Sequence, residues 1–336
     1  MLTDQIKFKM ERLKTLVLSV LLLFAVFELN AQDKYQFTVA QDGTGDFTSI
    51  QKAINACKAY PDQRVTLFVK NGTYKEKILV PACNTRLSII GESADKTILT
   101  FDDYFDKINR GRNSTFYTYT LLVLANDFSM ENITIENSAG PVGQAIALYV
   151  EGDRCTFRNC HILGNQDTLL ASGKFSRQYF ENCTIEGTTD FIFGEATALF
   201  ENCTIYCKTD SYLTAASTPE GKPFGFVFRN CKINASESAK KVYLGRPWRI
   251  YARVAFLNCE MGSFILPEGW HNWSKPESEK TAFFAEYGNK GTGAALNRRV
   301  TWSHQLSKRG ASKYTKEQIF APLGWEKISD SKWYNR

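Results

Sequence analysis

Histidine is scarce in this chain: three residues in 336, at positions 161, 271 and 304. With no His-x3-His or Cys-x2-Cys spacing, a zinc centre is not expected, and nothing implies an organic cofactor. No Gly-x-Ser-x-Gly occurs, which argues against a serine hydrolase of the nucleophile-elbow type. The glycines of "GTGAAL" at 291–296 lack a strand–helix setting and read as a loop, not a dinucleotide fingerprint. The formal charge of +6 comes without a dense Lys/Arg run, so it reads as a solvated basic surface and nucleic acid is not an expected partner.

Long apolar runs are also missing, with one short exception. Lys7, Lys9, Arg12 and Lys14 lead into "TLVLSVLLLFAVF" at 15–27, followed by a small residue at Ala31. A membrane span needs about 20 apolar residues; a basic segment, a shorter apolar run and a small residue describe a cleavable signal peptide instead. Residues 1–31 are therefore expected to be removed, leaving an exported (secreted or periplasmic) chain of 32–336 with no membrane span. A single domain and a monomer are expected, since no linker interrupts the pattern described next.

Cysteine is plentiful, nine residues, and an odd count leaves at least one thiol unpaired. The cysteines follow a repeat: "FRNCHI" (157–162), "FENCTI" (180–185), "FENCTI" (200–205), "FRNCKI" (228–233) and "FLNCEM" (256–261). Weaker copies precede them in "MENITI" (130–135) and "LSIIG" (87–91), where Leu87 is taken to fill the cysteine place. From Cys160 the intervals are 23, 20, 28 and 28 residues, a solenoid's spacing. Phe, Cys and Ile fall at near-alternating places and favour strands, while Asn and Gly punctuate the copies. The expected fold is all-β: stacked coils about 4.8 Å apart, forming a parallel β-helix. The cysteines become an inward ladder of small apolar groups, and neighbouring rungs could allow a Cys183–Cys203 bridge. Ile50, Ala53, Ile54 and Cys57 recur at helical spacing after Thr48 or Ser49, predicting a short helix that caps one end of the stack. The Gly- and Lys-containing segment after 285, ending "YTKEQIFAPLGWEKI", is expected to cover the other end.

Two aspartates break the apolar pattern. Asp167 in "GNQDTLLA" follows Cys160 by seven residues, and Asp190 in "GTTDFIFG" follows Cys183 by seven. Equal offsets from equivalent rungs predict equivalent places on adjacent coils, hence two carboxylates close together. Such a pair does not ionise jointly, so one becomes a proton carrier and the other a nucleophile or base. The alternative is a polar ladder with no chemistry. Arg246 in "LGRPWR" is a candidate cation to keep one acid ionised. Gln166 and Gln144 stand close enough in the coil count to offer non-titrating donors to an oxyanion. Asp210 also follows a cysteine by seven residues, but it sits in a short interval before "SYLTA" and reads as a surface acid.

The ordered set "GTYKEKILVP", "QAIALYV", "GNQDTL", "DFIFG" and "YLGRPW" resembles the pectin methylesterases, over essentially the whole chain from "TVAQDGTGDFTSIQKAI" (38–54) to "EQIFAPLGW". The resemblance implies a right-handed parallel β-helix with a shallow cleft. It also implies a cofactor-free esterase acting on methylated homogalacturonan (pectin). By the same resemblance, Asp190 is the nucleophile and Asp167 the general acid and then base. Gln166 and Gln144 form the oxyanion hole, and Arg246 orients Asp190. Thr120, Tyr149, Phe193 and Trp248, with Gln144 and Arg246, contact the sugar chain. Leu170 stands where the family often carries tyrosine, which alters one sugar subsite. A β-helical galacturonan hydrolase would need a Gly-His-Gly-type site, and a lyase an acidic calcium cluster; neither pattern is seen. A non-catalytic carbohydrate-binding β-helix is the remaining alternative.

Overall fold

The computed structural model of the chain describes residues 5–17, 34–322 and 332–335. Residues 5–17 are an exposed helix in a unit of their own, Met1–Tyr35, and the second unit is Gln36–Arg336. The expected cleavage point after Ala31 lies outside the described residues. Among the described residues no helix is long and apolar enough to cross a membrane.

The second unit is a right-handed parallel β-helix. Its strands form three parallel sheets of 11, 8 and 7 strands among the described residues, each coil giving one strand to each sheet in turn. One coil shows the plan: Cys155–Arg158 in the first sheet, His161–Leu163 in the second and Leu169–Ala171 in the third. The repeat explains why the coils stack in register. Its phenylalanine ends the inward face of each first-sheet strand, so Phe157, Phe180, Phe200, Phe228 and Phe256 stand level. Their rings stack at centroid separations of 4.9, 4.8, 4.6 and 4.4 Å. Ile162, Ile185, Ile205 and Ile233 do the same in the second sheet, all buried.

Between those strands the chain must turn a corner in one or two residues. The repeat's asparagine does it: Asn132, Asn159, Asn182, Asn202, Asn230 and Asn258 all take left-handed backbone angles, φ between 49° and 56°. Among residues with a side chain, asparagine enters that region most readily because its amide bonds locally.

Three expectations change here. The cysteines that follow are buried but unpaired, and Cys183 and Cys203 do not form a disulfide. In-register rungs aim their Cβ bonds in parallel and not at one another, which a disulfide cannot use. These two thiols instead donate to the phenylalanine carbonyl of the preceding coil, Cys183 to Phe157 at 3.4 Å and Cys203 to Phe180 at 3.5 Å. In "LSIIG", Ile89 pairs with Met130 and so holds the phenylalanine place, and Leu87 does not hold the cysteine place. Third, the segment after 285 covers the far end only with its first part, where His304–Gln305 pairs with the strand Phe283–Tyr287 and Lys290 bridges Glu260, and its later part packs elsewhere. Ile319, Phe320, Trp333 and Tyr334 pack on the outward row Tyr179, Leu199, Val227, Ala255 and Ala285 of the first sheet. That row is apolar and would otherwise face water, and the same side of the sheet is tied down by Lys316 bonded to Glu201 at 2.7 Å.

The N-terminal cap forms as expected at Ile50–Ala56, with Ser49 as N-cap. Glu76 completes it, accepting from the backbone N–H groups of Ile50 and Gln51 at 3.0 Å each.

Candidate active site

The outward row of the third sheet carries the site. Register places Leu122, Tyr149, Leu170, Phe193, Ala215 and Arg246 side by side on successive coils. Ile146, Leu170, Phe193 and Ala215 make an apolar floor, with Phe116, Tyr119, Tyr149, Trp248 and Trp273 packed against it. Two glycines let the coils approach here. A Cβ on Gly194 would lie 2.1 Å from the Ala171 carbonyl oxygen, and one on Gly245 would lie 2.0 Å from Thr214 Oγ1.

At the entry corner of this sheet stand the aspartates. Leu169 pairs with Ile192, so Asp167 and Asp190, each two residues earlier, hold equivalent places on adjacent coils. Both backbones are left-handed, φ 65° and 49°, which turns each side chain out toward the cleft. Their amides are satisfied by the next coil: Asp167 N–H donates to the Thr189 carbonyl at 3.1 Å, Asp190 N–H to Tyr212 at 2.7 Å. Arg246 comes from two coils beyond Asp190 and grips it with both oxygens, Nε to Oδ1 at 2.9 Å and Nη2 to Oδ2 at 2.6 Å. Gln144 and Gln166 are bridged across neighbouring coils, and both face the same cleft.

These surroundings separate the acids. Burial raises both carboxyls above their usual range. For Asp167 the negative charge of Asp190 adds to burial, and the Gln144 hydrogen bond and distant Arg246 oppose it only in part, leaving it well above that range. For Asp190 the hydrogen bonds and charge of Arg246 oppose burial directly. The first proton therefore leaves Asp190, and Asp167 stays protonated beside it. One ionised carboxylate next to one carboxylic acid can act as nucleophile and proton donor together. The cleft above them has a volume of about 260 Å³ and is walled by Arg112, Thr115, Phe116, Trp248 and Trp273.

The residues flagged in the sequence do not all converge. Asp167, Asp190, Gln144, Gln166, Arg246, Phe193 and Trp248 line this cleft, and Tyr149 lies on its row. Thr120 does not. It is fully buried, and its hydroxyl donates to the Glu136 carbonyl at 2.8 Å, so it has no face for a sugar.

A family model, pectinesterase, matches residues 36–322. The chain belongs to the pectinesterase family. Pectinesterase 31 of Arabidopsis thaliana is 39% identical over 293 residues, covering 84% of this chain and 92% of that protein. Several other plant relatives are longer: the chain spans 53% of probable pectinesterase/pectinesterase inhibitor 6 of the same plant, at 39% identity over 87% of this chain. The solved pectin methylesterase from carrot superposes with a TM-score of 0.80 at 29% identity, over 90% of this chain and 97% of the carrot chain. A pectin methylesterase solved with a hexasaccharide gives 0.75 at 28%, over 88% and 100%. This pectinesterase is accordingly a carboxylic ester hydrolase.

Sequence reasoning missed parts of the pectinesterase cleft. Thr115 and Phe116 line it from the 3-10 segment Gly111–Tyr117, and Arg112 does so from the same segment. Nothing in the repeat marks them, because they lie in an insertion between coils. Tyr212 could have been found: it is level with Asp190, since Ile192 pairs with Thr214. Counting seven residues from Cys203 lands on Asp210 instead, because that corner is two residues longer. Asp210 is exposed and accepts backbone N–H bonds from Lys240 and Lys241, as a surface acid.

Proposed function

We propose that this pectinesterase is exported and hydrolyses the methyl esters of homogalacturonan, releasing methanol through an aspartyl acyl-enzyme. The observation that carries the reading is the acid pair at equivalent places on adjacent coils, of which Arg246 holds one. The hexasaccharide bound to a solved relative supports a sugar chain as occupant of the cleft. The basic and apolar segments before Ala31 support export.

In acylation, the Asp190 carboxylate attacks the ester carbonyl carbon. Gln144 and Gln166 amides donate to the oxygen that gains charge. Asp167 gives its proton to the departing methoxy oxygen, and methanol leaves an anhydride on Asp190. Asp167, now ionised, takes a proton from water as the water oxygen attacks the galacturonyl carbonyl. The bond to Asp190 breaks, the uronic acid leaves and sheds its proton to solvent, and both aspartates are restored. Tyr149, Phe193 and Trp248 offer apolar faces for the sugar rings, and Leu170 widens the floor between the first two.

The test is methanol release from highly methylated pectin by wild type, Asp190→Ala and Asp167→Ala. Methanol without chain shortening is expected from wild type, with losses of at least about 10²-fold in each variant. Reducing ends or unsaturated products would mean a hydrolase or lyase. Binding without any product would mean a carbohydrate-binding protein.

A further inference from the structure

Arg246 does not rest on Asp190 alone. Its guanidinium carbon lies 3.9 Å from the Tyr212 ring centroid and 3.6 Å from that of Trp273. Two aromatic faces therefore cover a planar cation, leaving only its edges for hydrogen bonds. Trp273 reaches this position at a cost. Both it and Ser274 hold left-handed backbone angles, φ 58° and 54°, where a bulky residue is an outlier. The turn is held by its own side chains. His271 Nδ1 accepts the Trp273 N–H at 2.9 Å, Asn272 Oδ1 accepts the Ser274 N–H at 2.9 Å, and Asn272 Nδ2 donates to Glu279 at 2.7 Å. The His271 ring in turn packs edge-on to Tyr212 and Tyr243, both at 5.4 Å, and the His271 backbone N–H donates to the Gly245 carbonyl beside Arg246 at 3.1 Å.

We propose that Tyr212 and Trp273 are positioning residues that clamp the Arg246 guanidinium edge-on to Asp190, with His271 locking the turn that delivers Trp273. The clamp has a directional consequence. Tilting the guanidinium out of its plane would push it into a ring, so the stack holds its edge on the two Asp190 oxygens. Tyr212 stands on the aspartate column itself, one coil beyond Asp190, so the column changes from acid to aromatic where the cation must be supported. Burial and the nearby Arg246 charge lower the basicity of His271, which keeps its ring neutral and its Nδ1 free to accept. The charged and titratable groups around Asp190 are Asp167 on the preceding coil, Arg246, Arg112 on the cleft wall, and His271 and Lys275 on the Trp273 turn.

The inference rests on the esterase reading, but its test is separate from that reading, since it compares variants with an active wild type. In Trp273→Leu, the acid limb of the kcat/KM profile is expected to move to higher pH, because a looser guanidinium no longer opposes protonation of Asp190. At a pH on that limb the loss is expected to be roughly 3- to 10-fold. Trp273→Phe should restore most of it. A raised KM with the acid limb unmoved would assign Trp273 to sugar binding alone and overturn the clamp. Should Trp273→Leu fail to fold, Tyr212→Leu against Tyr212→Phe gives the same comparison. Independently of activity, the Arg246 Nε–H proton resonance, assigned by its loss in Arg246→Lys, should shift in Trp273→Phe as the indole ring current is replaced. An unmoved resonance would overturn the stack itself.

Discussion

Two corners of the β-helix use left-handed backbone and put it to different ends. At the corner between the first and second sheets stands asparagine, on coil after coil, from Asn132 to Asn258. At the corner entering the third sheet only Asp167 and Asp190 are left-handed, and Tyr212 and Tyr243 continue their column without that conformation. The asparagine corner repeats because each copy meets the same demand: a tight turn between two buried residues, Met130 and Ile133 at Asn132 and a phenylalanine and a thiol at the other five. The second corner faces a cleft and is free to vary, so the column carries different side chains there: a buried acid, an arginine-held carboxylate and aromatic rings. In a solenoid, repetition marks what holds the stack together, and a break in the repetition along one row marks what the stack is for.

The sharpest way to break this comparison is to exchange the consequences. Asp190→Asn keeps a residue suited to the left-handed corner and should leave the melting temperature near wild type while kcat falls by at least about 10³-fold. Phe200→Ala should do the reverse, costing about 3–5 kcal/mol of stability while the folded fraction keeps its kcat. Paired denaturant melts and initial rates on both variants check this; a stability loss in the first or a kcat loss in the second would erase the distinction between corner and core.

A subtler effect concerns Asp167. Its carboxyl is raised well above the usual range by burial and by Asp190. For a group raised in the folded state, its stabilising contribution is complete below the ordinary carboxylate range and is lost as pH rises through the folded value. Asp167→Asn should therefore melt higher than wild type at neutral pH, with the gap closing as pH falls below about 4, while activity is lost throughout. Melts of both proteins across that range test it; a gap independent of pH would show that the acid is not strained by its site. The smallest effect is expected from reductant. With every cysteine among the described residues a free thiol, a thiol reagent such as dithiothreitol should leave the melting temperature unchanged, and a fall of several degrees would reveal a disulfide.

The comparison also separates what could be read in advance. The ladder of Phe, Asn, Cys and Ile spells out the coil, because each rung must satisfy the same packing and the same turn. The acid pair was legible for the same reason: both aspartates keep a fixed distance from the ladder. Where a corner lengthened, the count slipped to Asp210, and Tyr212 was passed over. Thr120 comes from the family resemblance, and no residue pattern records that its side chain points into the stack and not into the cleft. The proposed bridge between Cys183 and Cys203 failed because nearness of rungs says nothing about the direction of their Cβ bonds.

The sequence by itself determined the stacked coil and the meeting of Asp167 with Asp190, since both follow from a residue pattern repeated at short range along the chain. Only the tertiary structure decided that Arg246 reaches back across a coil between Tyr212 and Trp273, that Phe320, Trp333 and Tyr334 cover the first sheet, and that a 3-10 segment walls the cleft. Those contacts join residues far apart in the chain through loops of irregular length, and no local period records where such a loop will come to rest.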